Sequence, residues 1–218
     1  MGLFITLEGV EGSGKSTQIR NLAEFLTARG IQTTLTREPG GCPIADKIRT
    51  ILLDAENKTL SPLSELMLYA AARAQHVTEV IAPSLEAGNV VLCDRFCDAT
   101  LAYQSFGRGI DRGVIENLNR LACQGVSPDL TVLIDCDASV GLERARRRIN
   151  ATAGPREERF ELEELSFHQR VRAGYLQLAT EQPDRILVID GAATIKDIFA
   201  SISTQILTRL AEPLRAVR

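Results

Sequence analysis

Eight consecutive residues, Gly9-Val10-Glu11-Gly12-Ser13-Gly14-Lys15-Ser16, satisfy the pattern G-x-x-x-x-G-K-[ST], whose chemistry is that of phosphate binding. Glycines let backbone N–H groups close around phosphate oxygens, and a helix that starts at the end of the loop turns its unpaired N–H groups toward the same anion. Lys15 then neutralises the β- and γ-phosphates of ATP, the Ser16 hydroxyl ligates Mg²⁺, and the binding segment runs from Gly9 through Thr17. The plainer alternative is a glycine-rich turn with an incidental lysine. Against it stand the apolar run Leu3–Leu7 before the loop and the helical pattern after it, which is the context the motif requires. The loop alone does not separate a kinase from a nucleotide switch. A guanine-reading switch carries Asn-Lys-x-Asp and Asp-x-x-Gly; neither occurs, and Asn57-Lys58 runs on into Thr59-Leu60.

A second set of residues suits a phosphate acceptor. Asp94-Arg95-Phe96 closes an apolar run, at the sheet edge where open α/β folds bind ligands. Asp94 suits Mg²⁺ or its water shell, and Arg95 offers the fork that fits a phosphate monoester. An Asp–Arg ion pair at a strand end is compatible with both roles. Thr100 and Tyr103 are three apart and Tyr69 and Arg73 four apart, so each pair shares a helical face. Spacing alone makes both tyrosines core residues and Arg73 a solvated one. Charge for a migrating phosphoryl group is supplied by Arg144, Arg146, Arg147, Arg148, Arg156 and Arg159. Arg148 is expected to be the main transition-state arginine, supported by Arg144 and Arg159, with Lys15 and Arg95 completing the catalytic set. Arg146 and Arg147 read as a solvated helix face.

In chain order, Glu8-Gly9, the loop, Arg37-Glu38-Pro39-Gly40-Gly41, Asp94-Arg95-Phe96, Ala102-Tyr103-Gln104, Gly107-Arg108-Gly109 and Glu158-Arg159-Phe160-Glu161 resemble the motifs of bacterial thymidylate kinases over nearly the whole chain. The resemblance implies transfer of the γ-phosphoryl group of ATP to dTMP, giving dTDP and ADP in dTTP biosynthesis, with Mg²⁺ as cofactor and a homodimeric assembly. It implies that Tyr69 stacks on thymine and Arg73 donates to its carbonyl. Thr100 and Gln104 would contact the base, and Tyr103 would pack under the sugar and leave little room for a 2′-hydroxyl. Glu11 would accept from the 3′-hydroxyl, and Arg37 and Glu38 would line the acceptor side. The family carries its catalytic arginine either in the loop after the acidic residue or in the lid. Here the loop position is Gly12, which assigns the task to the lid. The usual short Arg-Gly-x-x-Asp-Arg lid is replaced by Ile149-Asn150-Ala151-Thr152-Ala153-Gly154-Pro155-Arg156, leaving Arg148 and Arg156 as alternatives. A kinase for another small nucleotide, or an ATP-binding switch module without catalysis, shares the loop and stays open at this point.

These residues need a scaffold. Short apolar runs at Leu3–Leu7, Thr33–Thr36, Val90–Cys93, Leu130–Ile134 and Ile186–Ile189 alternate with helical patterns, which predicts a five-stranded parallel sheet flanked by helices on both faces. Helices are expected over Lys15–Ala28, Pro43–Leu53, Pro62–Ala87, Gly113–Cys123, Ser139–Arg148, Leu162–Thr180 and Ile195–Ala211. The fold class is α/β, and the resemblance narrows it to the P-loop nucleoside monophosphate kinase fold. One domain spans residues 1–218, with a lid over about residues 142–162. With 218 residues, 44% hydrophobic and 24% charged, the chain can bury one substantial core. A formal charge of −3 argues against nucleic acid as a partner. No run approaches a bilayer-spanning length, and five cysteines in no zinc-type spacing read as reduced thiols, so a cytoplasmic location with no membrane partner is expected.

Overall fold

The structure, a computed structural model, describes residues 2–151 and 158–211. Strands β1 (Leu3–Glu8), β2 (Thr33–Arg37), β3 (Val90–Asp94), β4 (Leu130–Asp135) and β5 (Ile186–Asp190) form a parallel sheet in the order β2-β3-β1-β4-β5. The order reverses around β1, and the C-terminal edge beside such a reversal is where open α/β sheets bind ligands. The helices are α1 (Lys15–Thr27), α2 (Pro43–Leu53), α3 (Pro62–His76), α4 (Ala82–Glu86), α5 (Cys97–Thr100), α6 (Arg112–Cys123), α7 (Ala138–Ala151), α8 (Leu165–Glu181) and α9 (Ile195–Ala211).

Strand alternation decides which layer each β1 side chain joins. Leu3, Ile5 and Leu7 pack with Leu22 and Leu26 of α1 and Ile202 and Ile206 of α9. Phe4 packs on the opposite face with Val77, Ile81 and Phe96. Thr6 and Glu8 continue that second stripe as buried polar groups, and the Thr6 hydroxyl meets that of Thr131 on β4 at 2.8 Å. β1 and β4 are covered on both faces and read as continuous apolar runs, whereas the edge strands β2 and β5 are only partly buried.

Each of the five strands runs one residue past its apolar stretch and ends on a charged side chain: Glu8, Arg37, Asp94, Asp135 and Asp190. Hydropathy marks where the core stops, while pairing continues to the crevice. The long helix expected from Pro62 to Ala87 begins as the sequence suggests, with the Ser61 hydroxyl accepting from the Ser64 N–H at 3.2 Å. It then passes through a π-helical stretch, Val77–Ile81, before α4. Pro83 has no N–H to continue the ladder, and the widened turn just before it accommodates the loss. Beyond the expected helix ranges, the helical turn on which Thr100 and Tyr103 were placed is the junction where α5 runs into a π-helical stretch, Leu101–Gly107, which carries Tyr103 and Gln104. α8 begins three residues later than expected, at Leu165, so Phe160 and Glu161 lie in the turns before it.

Candidate active site

The loop after β1 is shaped by α7 as much as by its own glycines. Gly12 adopts φ 67°, and a Cβ there would stand 2.1 Å from the carbonyl oxygen of Gly141 on α7. The reciprocal contact is as tight, since a Cβ on Gly141 would meet the Glu11 carbonyl oxygen at 2.3 Å. A side chain at position 12 is therefore excluded by the packing of α7, which gives a physical reason for the absence of a loop arginine. Lys15 folds back so that Nζ donates to the carbonyls of Gly9 (2.9 Å) and Val10 (2.8 Å) and approaches Ser13 Oγ at 3.3 Å. Burial, followed by the charge of Arg95, lowers its pKa to about 8.

β3 delivers Asp94 beside the loop in register with Leu7, and Ser16 Oγ donates to Asp94 Oδ2 at 2.8 Å. The two residues expected to hold Mg²⁺ are thus neighbours, and a hydroxyl with a carboxylate is the hard oxygen set that ion accepts. Arg95 follows at φ 71°, a conformation rarely open to an L side chain, with its N–H bonded to the Leu7 carbonyl at 3.0 Å. Its guanidinium turns back over the loop, with Nη1 donating to the Gly9 carbonyl (3.0 Å) and the Tyr175 hydroxyl (3.1 Å) and Nη2 to Glu11 Oε1 (3.2 Å).

Beside the loop lies a cavity of about 420 Å³, lined by Glu11, Gly12, Lys15 and Ser16 on one side and by Arg37, Glu38, Tyr69, Arg73, Asp94, Arg95, Thr100, Tyr103 and Gln104 around the rest. Arg148 reaches it from α7. Gly9, Val10, Ser13, Gly14 and Thr17 build the loop and first turn of α1 without lining this space.

Arg73 is not the solvated residue that its spacing suggests. It is 2% exposed, and three partners hold its guanidinium: Nε donates to Glu38 Oε2 (2.8 Å), Nη1 to Asn119 Oδ1 (2.7 Å) and Nη2 to Thr100 Oγ1 (2.8 Å). Glu38 is held in turn by His76 Nδ1 at 3.1 Å. Gln104 donates to Glu65 Oε1 at 2.8 Å, and the Tyr103 hydroxyl donates to Glu11 Oε1. Tyr103 also packs in the apolar cluster with Phe160 and Phe167, so its core and cavity roles coexist. Arg37 is largely exposed and pairs loosely with Asp46 at 3.5 Å.

Two carboxylates near the loop have opposite environments. Burial and the Asp98 charge raise Glu8 to about 7, against the pull of Arg95 and of donors from Tyr175 and the Phe96 N–H. Burial also acts to raise Glu11, but the His168 hydrogen bond, the Arg95 charge, the Tyr103 hydroxyl and Lys15 outweigh it and hold Glu11 at about 2.

The geometry sets the G-x-x-x-x-G-K-S loop beside a cavity that holds a buried arginine, and comparisons with known proteins give the family. The family model described as thymidylate kinase matches residues 7–202. The chain belongs to the thymidylate kinase family. It is 63% identical to the thymidylate kinase of Trichlorobacter lovleyi over 212 residues, 97% of this chain and 100% of the relative. It is 63% identical to that of Pelobacter propionicus over 207 residues, 95% of this chain and 94% of the relative. The crystal structure of thymidylate kinase from Ehrlichia chaffeensis superposes with TM-score 0.75 at 35% identity, covering 94% of this chain and 98% of that one.

Within this thymidylate kinase fold the arginines expected to serve the lid occupy different surroundings. Arg148 lines the cavity and lies 3.9 Å from Glu161 Oε1. Arg159, expected to support catalysis, is buried away from the cavity: Nε donates to the Leu52 carbonyl at 2.5 Å and Nη2 lies 2.6 Å from Glu65 Oε2. It ties the turn before α8 to α2 and α3. Arg144 likewise stands outside the cavity lining, with Nη1 3.9 Å from the Cys136 thiol. Arg146 is not simply solvated, because Nε and Nη2 donate to the Glu161 carbonyl at 3.2 and 2.9 Å. Arg147 pairs with Glu143 on the exposed face. Arg156 lies outside the described residues.

Several residues that brace the cavity lining from behind escaped the sequence reading: Glu65, Asn119, His168 and Tyr175. The last two are seven apart on α8, two helical turns, and so face the loop together; that periodicity was available as a signal. Arg49, which lines the cavity and donates to the Pro39 carbonyl at 2.8 Å, carried none.

Proposed function

We propose that this chain transfers the γ-phosphoryl group of ATP to dTMP, giving dTDP and ADP. The observation that carries the reading is the fixed Arg73 fork, buried at the floor of a pocket that opens onto the phosphate loop. A guanidinium whose partners hold three of its N–H groups keeps others for a carbonyl on the base. Tyr69 offers its ring to the base from one turn earlier on α3, and Arg95 grips the acceptor phosphate beside Glu11.

Phosphoryl transfer asks mainly for in-line positioning and for positive charge around the migrating group. Lys15 exchanges the Gly9 and Val10 carbonyls for phosphate oxygens of ATP. Arg148, at the cavity mouth, supplies lid charge to the transferring group, a task that Gly12 leaves open in the loop. Ser16 and Asp94 would hold Mg²⁺, which when bound neutralises charge on the β- and γ-phosphates. The apolar wall of Phe160 and Tyr103 helps to keep water from the reacting oxygens.

We also assign the chain to a homodimer, built through the outward faces of α2, α3 and α6, and to the cytoplasm. The dimer is supported by exposed Ile44, Ile51, Leu63, Met67, Val114 and Leu121 on those helices. The location is supported by five free cysteines, and no helix among the described residues is long and apolar enough to cross a membrane.

The test is ADP release with Mg-ATP and dTMP, dCMP, AMP or dGMP as acceptor. dTMP should be turned over far faster than the others, and Arg73→Ala should raise the KM for dTMP sharply while leaving that for ATP in place. Equal rates on the four nucleotides would overturn the base assignment.

A further inference from the structure

His168 lies on α8, outside the set of cavity-lining residues, and is 1% exposed. Its Nδ1 is 3.1 Å from Glu11 Oε2. Glu11 is held ionised, so its oxygens only accept, and the hydrogen of that contact belongs to Nδ1. Nε2 is buried and makes no hydrogen bond among the described residues. A buried ring nitrogen without a partner costs free energy. The ring orientation is therefore set by Glu11, the one polar group it engages, and by the edge of Phe167, 5.4 Å away between centroids.

The other oxygen of Glu11 performs the outward task. Oε1 accepts from Arg95 Nη2 and from the Tyr103 hydroxyl, both of which line the cavity. A carboxylate on a two-torsion stem can swing. Pinning Oε2 from behind fixes the direction of Oε1, and with it the two groups that border the acceptor. The charged groups around this contact are Glu11 and Lys15 from the loop, Arg95 from the turn after β3, and Glu161 before α8, whose pKa is raised by its own burial and by Glu11. Glu11 Oε2 accepts from His168 Nδ1, while the contacts of Arg95 and Tyr103 fall on Oε1.

We infer that His168 is a positioning residue that locks the Glu11 carboxylate from behind, so that Arg95 and Tyr103 are held in the geometry that receives the acceptor nucleotide. The inference rests on the reading of the cavity as the dTMP site. It assigns to α8 a part in acceptor recognition without contact with the acceptor.

The experiment compares His168→Leu, His168→Asn, Glu11→Gln and the double variant His168→Leu/Glu11→Gln with the wild type, measuring kcat, KM for dTMP, KM for ATP and Tm. Leucine keeps the volume and removes the donor, and the asparagine amide places a donor close to the position of Nδ1. His168→Leu should raise the KM for dTMP by roughly ten- to hundredfold, the scale of losing a hydrogen bond to a charged group, with KM for ATP within about twofold of wild type. His168→Asn should recover most of that loss. In the double variant the two losses should not add, because both act through one carboxylate. Additive losses, equal damage to the ATP and dTMP constants, or an asparagine variant as impaired as leucine would overturn the inference. Where leucine prevents folding, the asparagine variant decides: near-wild-type KM for dTMP supports the role, and a KM as high as that of Glu11→Gln overturns it. Absence of dTMP turnover in the wild type would overturn the reading of the site and the inference with it, a result distinct from failure of the His168 cycle alone.

Discussion

Glu8 and Glu11 stand three residues apart in the chain and their carboxyl groups are driven in opposite directions. Glu8 sits at the end of the inner β1 stripe at 0% exposure, and its pKa of about 7 means that the folded protein binds this proton more tightly than the unfolded chain does. Stability therefore falls as pH rises from the ordinary value of 4.5 toward 7. At ~1.4 kcal/mol per pKa unit this costs about 3 kcal/mol once both states are ionised. Glu8→Gln keeps an acceptor for the Phe96 N–H and removes the ionisation. Its Tm should hold level between about pH 5 and about pH 8, while that of the wild type declines over the same range. Parallel curves for the two proteins would show that Glu8 does not titrate in this window. Glu11 has the opposite sign: its contribution is full above 4.5 and is lost as pH falls toward 2.

At this scale the sequence was legible where a residue type has one strong use. Lys15, Ser16, Asp94 and Arg95 were read from type and context as parts of one site, and the fold places them beside one another. Arg73 and Arg159 were not separable in that way. Both are buried arginines, but one lines the cavity and the other is tied to the Leu52 carbonyl and Glu65. Which one an arginine becomes depends on distant carboxylates, Glu38 for the first and Glu65 for the second, and no local pattern records that pairing.

Among the elements, α7 and the phosphate loop meet glycine against backbone, and this contact makes a prediction of unusual sign. In a helix interior, Gly→Ala ordinarily gains about 1 kcal/mol from propensity. At Gly141 the added Cβ would stand 2.3 Å from the Glu11 carbonyl oxygen and 3.3 Å from Val10 Cγ2, and backbone cannot rotate away as the end of a side chain can. The overpacking cost of about 1–3 kcal/mol should win. Gly141→Ala should melt lower than the wild type and show a raised KM for ATP, because relief of the clash displaces the loop. A variant that melts higher with KM unchanged would refute the contact. The inner strands β1, β3 and β4 were legible because parallel strands buried on both faces write continuous apolar runs. Their last residues were not, since Glu8 and Asp94 are charged and paired at once. The extent of α5 and the following π-helical stretch was not legible beyond the turn of Thr100 and Tyr103: their apolar residues are interrupted by Asp98 and Thr100, which are buried through Arg185 and Arg73.

For the whole molecule, α2 and α3, which line the cavity, and α6, which holds Arg73 through Asn119, leave an apolar surface behind them. α3 turns Tyr69 and Arg73 inward to the cavity and Leu63 and Met67 outward. Beside it, α2 exposes Ile44 and Ile51, and α6 exposes Val114 and Leu121. Scattered exposed hydrophobics are normal on any protein, whereas a group concentrated on adjacent helices suits the dimer surface proposed above. A stable pair of chains buries about 800 Å² on each partner. The wild type should therefore run in size-exclusion chromatography with light scattering at twice the mass of one chain. Met67→Asp combined with Leu121→Asp places two charges in that surface, which must be desolvated for the pair to form. The double variant should run as a single chain and, because α3 loses support on its outer side, should show a higher KM for dTMP than for the wild type with little change for ATP. A wild type of single-chain mass, or a double variant that still pairs, would refute this surface as the interface.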